Sequence, residues 1–426
     1  MLRRRRREAV GLVRGGALGH QTQMPILTAG PDVGDLSLDA VDPRYRRFLL
    51  DSISRYGLDA DRFWAPLPAA DEMFFKAILP NFEHDTGIAA FKFTESTLRL
   101  FDAYRQIVGQ VFGGFDKLGT VLDFASGYGR LTRVLTQKLA PSQVFVSDIY
   151  AEAIAWQART FGVNAVPSAP SPSEFRHDLR HDIVFVGSLF SHLPTELFHA
   201  WLARLYSLVA PGGVLAFSVH DETFLPEGQP LDPSGLSYFR TSESGSLDHD
   251  IYGMSYVSEA FVGEAIGRLP GAPGWRRFHK GLYENQDLYV VAGPGRDVSQ
   301  LKVASTPMGG FETATALTNG DVEFAGWVLE RTPGERIARL AVSVDGAERL
   351  SVEPQGERPD VLRHFPRSAN APQAWRFRLP RAQASDGALV RVAMESTSGL
   401  SGYAYADYPP LTTMTYSGWS RRGLRG

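Results

Sequence analysis

Two aspartates and a glycine loop are the residues of this 426-residue chain whose types and spacing first suggest chemistry. In VLDFASGYGR, residues 121–130, Asp123 sits within a short apolar run that leads into Ala125, Ser126, Gly127, Tyr128 and Gly129. About 25 residues further on, the run QVFVSDIY carries Asp148. A buried strand that feeds a tight loop and then a helix aims the helix's unpaired N–H groups back at the loop. Gly127 and Gly129 allow positive φ and close approach of a ligand to the backbone. A carboxylate at the end of the next strand is placed to accept two hydrogen bonds from ribose hydroxyls. The combination predicts a nucleotide-type ligand. Asp123 inside the motif suits a ligand with a positively charged amino group, whereas a pyrophosphate would be repelled there. Ala125 stands where such a loop usually has its first glycine, and is expected to fit with negative φ.

Proton transfer needs a different group. A general base near neutral pH is commonly histidine, and two histidines follow apolar runs, His192 in SLFSHLP and His220 in LAFSVHDE. Both are expected just beyond the C-terminal ends of strands, where open α/β sheets bind ligands. His177 and His181 in HDLRHD have the spacing of one helical face. That spacing could in principle ligate a metal, but they are expected on a solvated loop or helix before the fourth strand, and no metal site is expected. With no cysteine, the chain has no disulfide, thiolate metal site or cysteine nucleophile.

The elements that must position these residues read as three regions. Residues 1–40, with the arginine run Arg3 to Arg7, lack periodicity and are expected to be a disordered basic tail. Residues 41–115 read as a helical cap, clearest in TESTLRLFDAYRQIVGQVF, where Leu98, Phe101, Tyr104, Val108 and Val111 recur every three or four positions until Gly113 and Gly114 stop the pattern. Over 116–294, the runs VLDF, QVFVSD, DIVFVG and VLAFSV alternate with helical stretches, as in a parallel sheet covered on both faces. One such stretch carries Leu197, Trp201, Leu205 and Leu208 on one face and has Thr195 as its expected cap. From 301 to 410, short β-rich runs separated by Gly, Pro and Asp turns predict a β-sandwich, and 411–426 is a tail. No apolar run reaches the length of a membrane helix. The net charge of −3 argues against a general nucleic-acid binder.

Residues 121–293 resemble a class I S-adenosylmethionine-dependent methyltransferase. The resemblance rests on the Asp123 loop, Asp148, the strand ending in VGSLFSHLP, the APGG turn before the next strand, and the pair GWRRFHKGLY and QDLYVVAG. It implies a Rossmann-like, seven-stranded sheet whose last strand is antiparallel, inserted through a hairpin. It implies that Ala125 to Gly129 wrap the methionine part of S-adenosylmethionine, with Asp123 fixing its amino group. Asp148 would take the ribose hydroxyls and Ile149 would pack on adenine. Ser168 is the nearest polar residue where the family often has an acid for the adenine amino group. Gly187, Ser188 and Leu189 would border the reacting methyl. His220 and His192 are the candidate bases. The insertion 224–256 is expected to cover the acceptor, with Tyr238, Phe239, Tyr252 and Tyr256 available to stack on it.

The C-terminal region is similar, more loosely, to small β-sandwich modules beside enzymes of bacterial surface-polysaccharide synthesis, with Trp327, Phe365 and Trp375 as aromatics that could meet carbohydrate or fill the core. Taken together, the sequence predicts a cytoplasmic enzyme that O-methylates a sugar or related small-molecule hydroxyl. Its partners are expected to be a small-molecule or glycan acceptor and no nucleic acid, with peripheral membrane contact through the N-terminal arginines. The alternatives are a natural-product, lipid or protein-nitrogen acceptor, or a non-catalytic glycan-binding scaffold.

Overall fold

The structure, a computed structural model, describes residues 37–408 apart from 42, 65, 83, 243, 245, 284, 364, 366 and 367, together with 415–416. The expected arginine tail and most of 411–426 lie outside the described residues.

The cap consists of α1 (Pro43–Arg55), α2 (Ala60–Phe63), a π-helical turn (Met73–Ile78) that continues into α3 (Leu79–Asn81), and α4 (Thr86–Phe112). Asp85 starts α4 by accepting the Ile88 N–H, and Gly113, at φ 87°, ends it with an N–H bonded to Gly109 O. Only a residue without Cβ takes that φ at no cost. The predicted face is buried at Leu98, Phe101, Tyr104 and Val108.

The central region folds as β1 (Val121–Phe124), α5 (Thr132–Leu135), β2 (Val144–Asp148), α6 (Ala151–Phe161), β3 (Asn164–Pro167), β4 (His181–Val186), α7 (Thr195–Tyr206), β5 (Val209–Asp221), β6 (Leu236–Phe239), β7 (Met254–Val257), α8 (Glu259–Gly267), β8 (Trp275–Leu282) and β9 (Gln286–Ala292). Strands β3, β2, β1, β4 and β5 are parallel neighbours in that order; β9 lies antiparallel between β5 and β8. Those seven strands are the Rossmann-like sheet the sequence predicts. A hairpin of β6 and β7 extends the sheet to nine strands by pairing His220 with Tyr256 and Asp221 with Val257.

Alternate residues of each strand enter different cores. Leu122, Phe124, Val184, Val186, Leu215 and Phe217 pack on one face; Val121, Val144, Val146, Ile183, Phe185 and Val214 pack on the other. Each such side chain removed from water contributes about 1.5–3 kcal/mol, so the two-sided burial fixes the height of every strand end. The helix expected after the loop is a single turn beginning at Thr132, and α7 is capped by Pro194, not by the Thr195 side chain.

The C-terminal region forms two antiparallel sheets, β10 (Met308–Ala316), β11 (Val322–Leu329), β15 (Gln373–Leu379) and β14 (Gln355–Glu357) against β13 (Ala347–Val352), β12 (Ile337–Val344), β16 (Ala388–Ser396), β17 (Ser401–Tyr408) and β18 (Thr415–Tyr416). A short α9 (Pro359–Leu362) interrupts the first sheet. Phe311, Phe324, Trp375 and Phe377 fill the space between the sheets. Trp375 is therefore core, its Nε1–H donating to Trp327 O at 3.0 Å, whereas Trp327 and Phe365 meet each other, half-buried, with centroids 5.8 Å apart. The sandwich docks on the cap: the Tyr405 ring meets Phe91 edge-on at 4.7 Å, and Arg391 lies 4.5 Å over Phe48.

Candidate active site

A cavity of about 650 Å³ opens at the carboxyl ends of β1, β2 and β4. Ten of the twelve residues expected to bind a cofactor line it: Ala125, Ser126, Gly127, Tyr128, Asp148, Ile149, Ser168, Gly187, Ser188 and Leu189. The remaining two have other work. Gly129, at φ 75°, is backed by α6, where a Cβ would lie 2.7 Å from Gln157 Oε1. Asp123 is 4% exposed and accepts a hydrogen bond from Thr132 Oγ1 at 3.1 Å. It ties the loop to α5 and is not among the residues that line the cavity. Burial pushes its carboxyl up to about 7.

The loop is held from outside itself. Gln157, fully buried on α6, donates to Ser126 Oγ at 2.8 Å and to Gly127 O at 2.7 Å. Asp148 Oδ2 accepts the Gly127 N–H at 2.7 Å and Oδ1 the Tyr150 N–H at 3.0 Å. Both carboxylate oxygens keep further lone pairs for a ligand. Ala125 has φ 58°, not the negative value expected of it. It takes the glycine conformation because Ser126 N–H is drawn to Ser147 O at 3.1 Å and Gly127 N–H to Asp148. A non-glycine residue there costs about 1–2 kcal/mol. Ser188, at φ 65°, and Tyr283, at φ 57°, are strained in the same sense and line the same cavity. Such strain is characteristic of sites where backbone is bent to a purpose.

The candidate bases stand behind the wall. Neither histidine is among the lining residues. His192, 4% exposed, bonds through Nδ1 to Gly253 O at 2.7 Å, so Nδ1 carries the proton; its ring stacks on Tyr252 with centroids 4.4 Å apart. His220 is 8% exposed, lies under Tyr256, and is pushed down to about 3 by burial and by the nearby His192 and Lys280. It is neutral at physiological pH. Gln286 links it to the wall, reaching His220 Nε2 at 3.4 Å, Ser188 Oγ at 2.9 Å and, through Oε1, Ser218 Oγ at 2.6 Å.

The insertion supplies Ser244, Ser246, Leu247, Ile251 and Tyr252 to the cavity. Of the four aromatics expected there, Tyr252 alone lines it; Tyr238, Phe239 and Tyr256 belong to the β6–β7 hairpin. Tyr150 OH joins the insertion to the loop after β2, 3.0 Å from Ser244 Oγ and 2.6 Å from Ser246 Oγ. The cap adds Asp71, Glu72, Met73 and Phe93. Sequence reading missed these and Arg130, Gln157 and Tyr283. Only Gln157 left a local signal, a polar residue one turn after Ala153 and Ile154 on the buried face of α6.

Of the other histidine pair, His177 is half-buried on the loop before β4, as expected, and His181 is not solvated. His181 is buried at the start of β4, stacked on His177 with Nε2 atoms 2.8 Å apart, and burial pushes it down to about 4. Asp221, His279 and Asp287 also converge, His279 Nδ1 lying 3.4 Å and 3.1 Å from the two carboxylates. Arg277 and Lys280 already hold those carboxylates at 2.6 Å and 3.0 Å, which makes the group a charge-balanced network.

Residues 97–260 match the family model described as a methyltransferase domain. Among similar solved structures are a DhpI complex with S-adenosylhomocysteine (22% identity, covering 53% of this chain and 96% of that one, TM-score 0.34). Others are the N-methyltransferase NodS from Bradyrhizobium japonicum WM9 (13%, 47% and 88%, 0.32) and 1,6-didemethyltoxoflavin-N1-methyltransferase from Burkholderia thailandensis (18%, 53% and 92%, 0.34). No curated protein sequence matches the chain significantly.

The cavity fits S-adenosylmethionine on its own terms. A Cβ built on Gly127 meets nothing within 4 Å, leaving the loop backbone open. Ile149 and Met73, 37% and 40% exposed, leave apolar surface uncovered in the wall, as a flat ring requires. The segment matched by the methyltransferase-domain model carries the β1 loop, Asp148 and strands β1 to β7 of this sheet.

Proposed function

We propose that the protein transfers the methyl group of S-adenosylmethionine to a hydroxyl of a sugar or related small molecule, in the synthesis of a surface polysaccharide. The observation that carries this reading is the lining of the cavity, where Tyr150, Ser244 and Ser246 gather three hydroxyls and Tyr252, Trp201, Leu193 and Leu197 supply aromatic and apolar surface. Hydroxyl groups next to aromatic and apolar faces suit a polyhydroxylated ring. The appended sandwich, with Trp327 and Phe365 half-buried, supports a glycan-related acceptor.

The cofactor supplies an activated methyl on a sulfonium, so the chain's residues have three tasks: hold the nucleoside, align the acceptor and exclude water. Asp148 would receive the ribose hydroxyls, and Ile149 and Ser168 would border the adenine. Gly187, Ser188 and Leu189 would stand beside the transferred group. Carboxylates of Asp71, Glu72, Asp148 and Glu152 are in the wall and can receive a proton. His220 and His192 act from behind it, as groups that position Ser188 and Tyr252.

A second reading follows from that last point. With neither histidine in the lining, an acceptor nitrogen, which needs less help from a base, is also served by this site. Radiolabelled methyl transfer to a panel of hexose, nucleoside-diphosphate sugar and amine acceptors separates the two. Labelling of hydroxyl acceptors supports the first reading; labelling of amines alone overturns it in favour of the second.

A further inference from the structure

A second cavity, of about 380 Å³, lies where the cap meets the sandwich and shares no lining residue with the site above. Arg55 closes α1, Asp102 and Arg105 stand on α4, Lys138 follows α5, and Ser401 and Tyr403 belong to β17. The cavity therefore exists only because the sandwich docks on the cap. Its volume is that of a small-molecule pocket.

Four cations line it, Arg55, Arg99, Arg105 and Lys138, against two carboxylates, Glu95 and Asp102. Both carboxylates are buried and already engaged. Asp102 accepts from Tyr56 OH at 2.5 Å and from Arg105 Nε at 2.8 Å; Glu95 accepts from Tyr405 OH at 3.4 Å. At the rim, Asp51 is shared by Arg55 at 3.0 Å and Arg391 at 3.3 Å. Lys138 Nζ donates to neutral acceptors, Tyr56 O at 2.8 Å and Gly57 O at 3.2 Å, and an ammonium has a third N–H to give. Positive charge is thus in excess around the cavity. Burial, and after it the charge of Arg99, hold Lys92 and Arg331 below their usual values, as crowded cations do.

The walls add aromatic and hydroxyl surface. Phe101 and Phe115 stack with centroids 5.9 Å apart. Arg105 covers one face of Tyr56 at 5.4 Å, and Arg391 one face of Tyr403 at 5.1 Å. Tyr403 OH accepts from Arg55 Nη1 at 3.1 Å and so keeps its own proton to donate. Ser52 and Ser401 supply two more hydroxyls.

We propose that this cavity binds an anionic saccharide, a hydroxylated ring bearing a phosphate or carboxylate, with Arg55 and Lys138 taking the charge and Ser401 and Tyr403 the ring hydroxyls. The proposal goes beyond the methyl-transfer reading and does not depend on it. A bare inorganic anion would leave the aromatic walls and the hydroxyls unused, and a neutral sugar would leave the cations unanswered. Because the ligand would touch both cap and sandwich, its binding stabilises their junction.

The test is calorimetric titration of the full chain with glucose 1-phosphate, glucuronate, glucose and inorganic phosphate, in wild type, Arg55→Gln and Ser401→Trp. The two anionic sugars are expected to bind and to raise the thermal midpoint, with glucose and phosphate weaker by about tenfold or more. Arg55→Gln is expected to cost the anionic sugars about tenfold, and Ser401→Trp, which fills the cavity, to abolish their binding. Arg55 is exposed and Ser401 half-buried, and an unchanged midpoint without ligand checks that each variant is folded. Phosphate binding as tightly as glucose 1-phosphate, no binding of either anionic sugar, or binding that survives both substitutions overturns the proposal. Each of those results leaves the S-adenosylmethionine reading intact, since the two cavities have no residue in common.

Discussion

The carboxyl ends of β1 and β5 are neighbours in kind and opposites in outcome. Behind β1, the chain turns through Ala125 to Tyr128 and all four residues open on the cavity. Beyond β4, the end of β5 carries His220 into a buried network with Gln286, Ser188 and Ser218. Both ends were expected to meet ligand. The difference is what lies on them: β1 is followed by its own short loop, whereas the last two residues of β5 pair with β7 from an insertion more than thirty residues away. A strand end of an open sheet is a binding edge only where no later segment hydrogen-bonds over it.

The sharpest way to break this comparison is to remove the carboxylate on the open side. Asp148→Ala deletes the expected ribose contact and also releases the Gly127 and Tyr150 N–H groups. Affinity for S-adenosylhomocysteine is expected to fall by about thirtyfold or more, about 2 kcal/mol at least. Wild-type affinity in that variant would remove Asp148 from the site.

Asp123 sharpens the contrast from the same strand. Its folded pKa, about 7, lies above the ordinary aspartate value, so its stabilising protonation is complete below the unfolded pKa and lost as pH rises through about 7. Asp123→Asn, which keeps an acceptor for Thr132, should gain on wild type in thermal midpoint between pH 5 and pH 8, with S-adenosylhomocysteine affinity changed less than threefold or so. A midpoint difference that is constant with pH would contradict the buried, protonated state.

The smallest effect is expected at Ala125. Glycine there relieves a φ of 58° but adds freedom to the unfolded chain, and the two nearly offset. Ala125→Gly is expected to change stability by less than about 1 kcal/mol and to bind S-adenosylhomocysteine as wild type does. A tenfold loss of affinity would show that the methyl group itself shapes the site.

The sequence made the β1 loop legible because strand, glycines and the following acid at the end of β2 act locally. Ala125 to Tyr128 and Asp148 all line the cavity. The φ of Ala125 was not legible, since it is set by hydrogen bonds that the Ser126 and Gly127 N–H groups donate to Ser147 O and Asp148 Oδ2, on the neighbouring strand. Neither was the burial of His220, which depends on pairing with Tyr256, nor the arrival of Asp71 and Phe93, which depends on how the cap packs on the sheet. The sandwich was legible as short strands with turns, but its attachment to the cap through Tyr405 and Arg391 left no pattern along the chain.

The central claim is that the β1 loop binds a sulfonium nucleoside and not a dinucleotide. Calorimetric titration of the full chain with S-adenosylmethionine, S-adenosylhomocysteine and NAD tests it most directly. The account predicts micromolar binding of the two sulfur nucleosides and none of NAD. Binding of NAD, or of none of the three, would contradict it.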